Sequence, residues 1–317
     1  MEGNMIKKGK VTVVGAGLVG STTAFSLMQS SVVNEIVLID KNVEKAQGDA
    51  LDMNHGVPFM KPTKVIAGDY SDSAQSEIVV ITAGVNQKPN ETRLDLLKNN
   101  AAVFKSITEQ LEKHITSDTT VLVVTNPVDV LAYLTYKLLG FPQNRIIGSG
   151  TVLDTARFRY LLAQHVGIDA RNIHAYIIGE HGDTEVAVWS KTTVGQMLMD
   201  DYCNMCNCCD GIRKHEIYQN VKNAAYEIIE KKGATFYAVA LAVKRIIECI
   251  IRDEQSILTV SSLLTGQYGI EDTFISVPAI VGGMGVSRLL PLSINESELS
   301  ALQHSADTIK AHISQII

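Results

Sequence analysis

Short apolar runs rich in β-branched residues alternate with stretches of helical periodicity through the first half of the chain. Several of these runs are apolar almost without interruption, which is typical of strands in a parallel sheet that is covered on both faces. The predicted strands cover 10–14, 35–39, 63–67, 78–82, 120–125 and 145–148. Helices fit between most of them, for example over 20–29 and 93–114. Strands that alternate with helices predict an α/β fold with a doubly wound parallel sheet.

The second half has a different pattern, with long helical stretches over 211–231 and 234–252. Strand-like pieces lie near 173–178, 256–264 and 284–290. This pattern predicts an α+β domain after the α/β domain, with the boundary near 149–151. We therefore predict one domain over 1–150 and a second over 151–317.

The chain closes with a predicted helix that carries its own start signal. Asn295 is suited to be the N-cap, and Glu298, three residues on, is suited to be its reciprocal capping partner. The helix has one apolar stripe, formed by Leu299, Leu302, Ala306, Ile309, Ile313 and Ile316.

The bulk composition narrows the class of protein. With 317 residues the chain is long enough for about two domains of ordinary size. The net charge of −6 argues against a nucleic-acid partner, which normally requires a basic face. No apolar run approaches the roughly 18–20 residues of a membrane span. The composition therefore indicates a globular protein that binds neither nucleic acid nor membrane.

The N-terminus resembles a signal peptide at first sight, because Lys7, Lys8 and Lys10 precede the apolar residues 11–14. The apolar run is short, however, and glycines at 15, 17 and 20 interrupt it. We therefore expect a cytoplasmic protein. In that compartment its five cysteines should be reduced thiols.

A glycine-rich turn, GAGLVG, follows the first predicted strand and opens a helix. Gly15, Gly17 and Gly20 suit a tight turn, close approach of the backbone to a pyrophosphate, and close helix–strand packing. The helix N-terminus offers free N–H groups to phosphates. Asp40 ends the next strand, where its carboxylate can accept hydrogen bonds from ribose hydroxyls and repel a 2′-phosphate. The turn predicts NAD rather than NADP, and the alternative is a glycine turn that binds no ligand.

Two further segments reach the same edge of the predicted sheet. Thr82, Ala83 and Gly84 end the fourth strand, and Val124, Thr125 and Asn126 end the fifth. Ligands of open α/β sheets bind beyond the carboxyl ends of the strands. We expect these residues to contact the cofactor, although each segment taken alone is equally typical of a strand end.

Transfer of a hydride from an alcohol to NAD requires a base for the hydroxyl proton, and histidine suits this role at neutral pH. His181 stands between two glycines at a predicted strand end. Asp154 can orient its ring and stabilise the imidazolium. Arg157 lies one helical turn after Asp154 and can bind a substrate carboxylate through two hydrogen bonds. Taken singly, the three are also typical of a turn residue, a helix cap and a surface salt bridge.

The polar segment 84–93, GVNQKPNETR, follows a predicted strand and contains glycine and proline. A loop of this kind can close over a bound substrate and exclude water. Arg93 would then polarise the substrate carbonyl. Without the other motifs, a surface loop with solvated charges would be the better interpretation.

Together these segments resemble the L-lactate dehydrogenase family of NAD-dependent enzymes, most closely its bacterial members, over essentially the whole chain. The resemblance is carried by GAGLVG at 15–20, NQKPNETR at 86–93, TNPVD at 125–129, DTARFR at 154–159, IIGEHGD at 177–183 and KKGATFYA at 231–238. It implies a dinucleotide-binding domain over 1–150, a substrate domain over 151–317 and a homotetramer.

The resemblance also implies roles for individual residues. His181 is implied as the acid/base, Asp154 as its partner, Arg157 as the carboxylate clamp and Arg93 as the arginine of the closing loop. Asn126 is implied beside the cofactor and the substrate oxygen, and Thr235 in the substrate pocket. The predicted cofactor set is completed by Val19, Lys45 and Tyr70.

The related malate dehydrogenases share the fold and the catalytic set and are the closest alternative. They carry an arginine at the loop position occupied here by Gln87, where it pairs with the second carboxylate of oxaloacetate. Gln87 has no charge to offer, and a buried unpaired carboxylate costs several kcal/mol. The sequence therefore favours pyruvate and L-lactate as substrates. An NAD-binding protein that has lost its chemistry is a third alternative, which the intact catalytic set disfavours.

Arg159 and His174 match the positions at which bacterial members of the family bind fructose 1,6-bisphosphate between subunits. Two such pairs across a symmetry axis would form a cationic pocket for two phosphates. The alternatives are a stacking arginine and a core histidine. We predict an allosteric effector site here.

Four cysteines fall within the seven residues 203–209. The C-x₂-C-x-C-C spacing fits no ordinary zinc module, and thiolates so close together would strain a tetrahedral site. The family has a variable surface loop at this position. We predict such a loop and no metal.

Changing Gln87 to Arg should shift the preference from pyruvate toward oxaloacetate, because the new cation would pair with the extra carboxylate and would face a methyl group unpaired. The measurement is the ratio of kcat/KM for the two substrates with NADH. An unchanged ratio would show that this position does not contact the substrate side chain.

Overall fold

A computed structural model describes residues 7–85, 92–206 and 211–316. The strands of the first half are β1 (Lys7–Val14), β2 (Glu35–Ile39), β3 (Lys64–Ala67), β4 (Ser76–Ile81), β5 (Thr120–Val123) and β6 (Ile146–Gly148). The helices between them are α1 (Leu18–Met28), α2 (Val43–His55), α3 (Arg93–Leu111) and α4 (Val128–Leu139). The predicted strands of this half are confirmed, with ends that differ by a few residues.

The second half begins with α5 (Val152–Val166), followed by the short strands β7 (Ile173–His174), β8 (Ile177–Ile178), β9 (Val186–Ala187), β10 (Thr193–Val194) and β11 (Met197–Leu198). Three helices follow, α6 (Met199–Cys206), α7 (Gly211–Lys232) and α8 (Tyr237–Ile251). The chain then forms β12 (Ser256–Leu258), β13 (Ser261–Thr265), β14 (Glu271–Ser276), β15 (Ala279–Gly282), β16 (Gly285–Leu289) and α9 (Glu296–Ile313).

The central sheet has the strand order β3-β2-β1-β4-β5-β6-β13-β14. Its first six strands are parallel, in the order of a doubly wound dinucleotide-binding sheet. The predicted fold class is therefore confirmed. The carboxyl ends of β1, β4 and β5 meet at one edge, next to the point where the strand order reverses.

Side chains alternate between the two faces of this sheet. Val11 and Val13 belong to one buried cluster, which includes helices α1 and α8, whereas Val14 belongs to a second cluster that includes α3 and α4. On β4, Ile78 and Ile81 divide between the clusters in the same way. Both faces are thus covered, which explains why the strands are apolar almost throughout.

The second half completes the first sheet instead of standing apart from it. Strand β13 pairs with β6 at Ser261 and Gly148, and β14 pairs antiparallel with β13. The strand predicted over 256–264 is wrong as one element, because β12 joins a separate sheet with β15 and β16. Strands β14 and β15 were not predicted. Strand β13 pairs with β6 although the two lie far apart in sequence, and periodicity does not specify such a partner.

The capping box predicted for the last helix is confirmed. Asn295 accepts a hydrogen bond from the Glu298 N–H at 2.9 Å, and Glu298 accepts one from the Asn295 N–H at 3.2 Å. The predicted stripe faces a third cluster, in which Leu302, Ala306 and Ile309 are fully buried.

The cysteine cluster differs from the expected surface loop and from the expected reduced thiols. Residues 199–206 form helix α6 instead of a loop, because Met199 and Cys203 pack into a buried cluster with α5 and α7. Cys203 and Cys206 each take part in a disulfide bond, so the expectation of reduced thiols is wrong for these two. Cys208 and Cys209 lie outside the described residues. Cys249 is free and buried.

None of the helices in the described part of the chain is long and apolar enough to span a bilayer.

Candidate active site

The glycine-rich turn between β1 and α1 is packed as the sequence motif requires. Gly15 has φ +106°, and a Cβ there would lie 2.5 Å from the Ala83 nitrogen. A Cβ on Gly20 would lie 1.8 Å from the Gly15 carbonyl oxygen. Around Gly17, by contrast, there is no atom within 4 Å of such a Cβ. The turn therefore leaves open space where the backbone and the N-terminus of α1 would receive a pyrophosphate.

Asp40 is held in place by the backbone beside this turn. Its Oδ2 accepts a hydrogen bond from the Ala16 N–H at 2.7 Å, and its Oδ1 accepts one from the Asn42 N–H at 2.8 Å. Lys45 donates to the Ala16 carbonyl and to Asp49. Burial and the nearby charge of Asp40 raise the pKa of Tyr70. Asp40 and Lys45 thus contact the turn at Ala16, and Tyr70 lies near Asp40.

A cleft of about 630 Å³ opens beyond the carboxyl edge of the sheet, between the two halves of the chain. The predicted residues that line it are Gly17, Val19, Gly20, Thr82, Gly84, Val124, Asn126, Arg157, His181 and Thr235. Gly15 and Ala83 pack beneath it, where the Ala83 N–H donates to the Val14 carbonyl at 2.9 Å. The structure thus brings predicted cofactor and substrate residues together on one surface.

The catalytic candidates form a hydrogen-bonded chain at the inner end of the cleft. His181 follows β8, and its Nδ1 lies 2.5 Å from Asp154 Oδ2. The other Asp154 oxygen accepts a hydrogen bond from Arg157 Nη1 at 2.8 Å. The Asp154 side chain is 3% exposed and the His181 side chain 24%. Because Nδ1 is bound to Asp154, the Nε2 atom of His181 is left to act on a substrate.

The protonation state of His181 follows from its neighbours. Burial by itself would lower the pKa of the imidazole, but the charge of Asp154, its hydrogen bond and the charge of Asp129 together raise it to about 9. Burial opposes ionisation of Asp154 too, and the charges and hydrogen bonds of His181 and Arg157 outweigh it, so that its pKa is lowered. At neutral pH the pair is therefore an imidazolium and a carboxylate.

Sequence reasoning missed three buried polar residues around this site. Asp129 accepts a hydrogen bond from the backbone N–H of His181 at 2.9 Å. Asn100 accepts one from the Val85 N–H at 2.8 Å and donates to the Asn126 carbonyl at 3.2 Å. Burial and the charge of Asp154 raise the pKa of Glu185 to about 8. Asp129 stands in the TNPVD block, which was a usable signal, whereas Asn100 and Glu185 have no local signature.

The predicted closing loop lies mostly outside the described residues, and Gln87 with it. Arg93 is the first residue of α3, whose N-cap is Thr92, but its side chain is not among those described. The roles of Gln87 and Arg93 therefore stay predictions.

The predicted effector residues share a second cavity, of about 740 Å³, which Arg245 also lines. Arg159 donates from Nη2 to the Ala170 carbonyl at 3.0 Å, and its buried Nε has no hydrogen-bond partner in the described part of the chain. His174 lies exposed on β7. The core-histidine alternative is therefore wrong for His174.

Within the ranges that the structure describes, no three His, Cys, Asp or Glu side chains are grouped so as to hold a metal ion.

Comparison with known families covers nearly the whole chain. Residues 9–148 match the NAD-binding domain of the lactate/malate dehydrogenases, and residues 151–317 match the α/β C-terminal domain of the same family. The chain belongs to the lactate/malate dehydrogenase family. It is an NAD-dependent oxidoreductase, and its cofactor is NAD.

Relatives within this family include an L-lactate dehydrogenase of Acetivibrio thermocellus, 58% identical over 317 residues, which are 100% of this chain and 99% of that protein. L-lactate dehydrogenase 1 of Clostridium acetobutylicum is 55% identical over 98% of this chain and 100% of its own length. Among solved structures, the ligand-bound minor L-lactate dehydrogenase of Enterococcus mundtii is 40% identical, with a TM-score of 0.95 and 99% of each chain covered.

Gly20→Ala should weaken NADH binding at least about tenfold, because the added Cβ would collide with the Gly15 carbonyl and push α1 away from the turn. The measurement is a fluorescence titration with NADH. Gly48→Ala is the matched control, because it adds the same methyl group to α2 with no atom within 4 Å. Unchanged affinity of the Gly20 variant would contradict the packing role of this glycine.

Proposed function

We propose that the protein is an NAD-dependent L-lactate dehydrogenase, which reduces pyruvate to L-lactate and runs the reverse reaction. The observation that carries this proposal is the set of hydrogen bonds from His181 through the buried Asp154 to Arg157, next to the cleft that His181 and Arg157 line. The full-length relatives named above, which are L-lactate dehydrogenases, support the same conclusion.

His181 is the acid and base of the reaction. Bound NADH supplies the hydride. Because the pKa of His181 is raised to about 9, its imidazole carries a proton at neutral pH and can donate it from Nε2 to the carbonyl oxygen of the substrate. In the reverse direction the neutral imidazole takes the proton from the hydroxyl of L-lactate. Pyruvate reduction should therefore fall, and lactate oxidation rise, as the pH passes upward through this pKa.

Arg157 binds the substrate carboxylate. Among the described contacts, Arg157 donates to Asp154 only through Nη1. The residue also lines the cleft, so its other guanidinium N–H groups are available to a substrate carboxylate. Asn126 and Thr235 line the same cleft and complete the substrate pocket. Arg93, at the start of α3, polarises the carbonyl when the preceding loop closes.

Some of the proposed cofactor residues would bind the phosphates of NAD and others its adenosine ribose. The turn at Gly15, Gly17 and Gly20 receives the pyrophosphate, and Asp40 receives the ribose hydroxyls and disfavours a 2′-phosphate. Lys45 and Tyr70 would border the adenosine, and Val19, Thr82, Gly84 and Val124 line the cleft that would receive the rest of the cofactor, with Ala83 packed beneath it.

Gln87 selects pyruvate over oxaloacetate because it offers no charge to a second carboxylate. The dinucleotide domain spans 1–150 and the substrate domain 151–317. The working enzyme is a cytoplasmic homotetramer, as implied by its resemblance to bacterial members of the family.

Fructose 1,6-bisphosphate is the proposed activator. Arg159 and His174 line one cavity together with Arg245, which also pairs with Glu254, and the guanidinium groups of the two arginines suit phosphate. Across a subunit interface the like charges would repel, and two phosphates would relieve the repulsion. The ligand would thereby favour the arrangement with high affinity for pyruvate.

Replacing His181 by Asn should lower turnover of pyruvate by about 10²–10⁴-fold, because the proton donor is lost. NADH binding should be unchanged, since the cofactor turn is not altered. Stopped-flow rates and NADH titration measure the two effects. Near-normal turnover of the variant would mean that another group supplies the proton.

Fructose 1,6-bisphosphate should lower the apparent KM for pyruvate, because its binding would favour the arrangement with high affinity for pyruvate. The test is a pyruvate titration with and without effector, on the parent and on an Arg159→Gln, His174→Gln double variant. Arg171→Gln is the control, because Arg171 is an exposed arginine that pairs only with Asp169 among the described residues. Equal activation of parent and double variant would refute the site, and an unresponsive parent would refute the regulation.

A further inference from the structure

Asp129 is a buried carboxylate that has no role in the reaction outlined above. It lies in the first turn of α4 and is 2% exposed. Its Oδ2 accepts the backbone N–H of His181 at 2.9 Å, and the buried hydroxyl of Ser261 on β13 also faces the carboxylate. No lysine or arginine in the described ranges forms an ion pair with it.

Burying such a group opposes folding. Taking a carboxylate out of water without a counter-ion destabilises the folded state, whereas an apolar residue of similar size would pack without that penalty. Burial raises the pKa of Asp129 to about 6, so above that value the side chain is still ionised. The cation that it faces is His181 itself.

The loop that carries His181 has little rigidity of its own. It runs from Gly179, at φ +94°, to Gly182. Asp154 fixes the imidazole ring but not the backbone. Three successive backbone N–H groups are held: that of Gly179 by the Ser276 carbonyl at 2.9 Å, that of Glu180 by Ser305 Oγ at 2.7 Å, and that of His181 by Asp129.

We propose that Asp129 is a positioning residue of this active site, which holds the backbone of the His181 loop and whose negative charge favours the protonated imidazole. This inference rests on the proposed role of His181 as acid and base. Asp154 and Asp129 then act on the same histidine from two helices, one through the ring and the other through the main chain.

The direction of the effect follows from the charges that face His181. Asp154 and Arg157 face it from α5, Asp129 from α4, and Glu180 and Glu185 belong to its own segment. Lys222 of α7 acts on Glu185. Removing the charge of Asp129 leaves every other one in place. The imidazolium then loses one stabilising anion, so the pKa of His181 must fall from about 9.

The experiment uses Asp129→Asn in the full-length enzyme, because asparagine keeps an oxygen acceptor for the His181 N–H and removes only the charge. The pH profiles of kcat/KM are measured for pyruvate reduction and for lactate oxidation. In each profile, the limb whose midpoint reflects the pKa of His181 should move to lower pH by about 0.5–1 unit. This is the size of shift expected when one nearby anion is removed from a partly polar site. A purely structural role would lower the rate at every pH and leave the limbs where they are.

Binding of oxamate, an unreactive analogue of pyruvate, to the complex with NADH gives a second readout without turnover. Oxamate should bind tightly only when the imidazole of His181 is protonated. Its affinity should therefore begin to weaken at a lower pH in the Asp129→Asn variant than in the parent. Asp272→Asn is the control, because it removes the same charge from an exposed residue that contacts α4 at Tyr133 and Lys137. The control should show the parent profiles.

Unmoved limbs in a folded Asp129→Asn enzyme, with an active parent, would overturn the inference and leave the proposed function intact. A parent that does not reduce pyruvate with NADH would overturn the proposed function and this inference with it. Asp129→Leu removes acceptor and charge together. It should also lower kcat more than the asparagine variant, and equal kcat values would overturn the backbone-holding role.

Discussion

The active site depends on the burial of one carboxylate. Asp154 is almost fully removed from water, and a buried anion is stable only when its oxygens are paired. One oxygen binds His181 and the other binds Arg157. The same carboxylate therefore orients the group that moves a proton and the group that binds a carboxylate substrate. A change at Asp154 disturbs both, because its two oxygens hold both side chains.

The position of Asp154 is set by Thr151, just before α5. The Thr151 N–H donates to Ser276 Oγ at 3.1 Å and to the Thr259 carbonyl at 3.1 Å, and its hydroxyl donates to the Ile177 carbonyl at 2.6 Å. This buried residue thus joins the start of α5 to β14 and to β8, the strand that leads to His181. Since β14 belongs to the central sheet, the acid–base pair and the cofactor edge rest on one rigid support.

Features that depend only on residues close in sequence were predictable. The glycine-rich turn, with Gly15, Gly20 and Asp40, has its requirements within one strand–turn–helix unit. The capping box at Asn295 is local in the same sense. Asp129 and Asn100 were not predicted as site residues, because each acts through a backbone group more than 10 residues away in sequence. The pairing of β13 with β6 was not predicted for a related reason, since the two strands lie far apart in sequence.

The sequence by itself determined the alternation of strands and helices, the dinucleotide turn and the residue types available for acid–base chemistry. These features follow from side-chain periodicity and from local backbone geometry, which act over a few residues. The tertiary structure alone decided that β13 and β14 extend the first sheet, and that His181 meets two carboxylates instead of one. The electrostatic energy of a charged group depends on everything packed around it, and that environment exists only after the distant segments have come together.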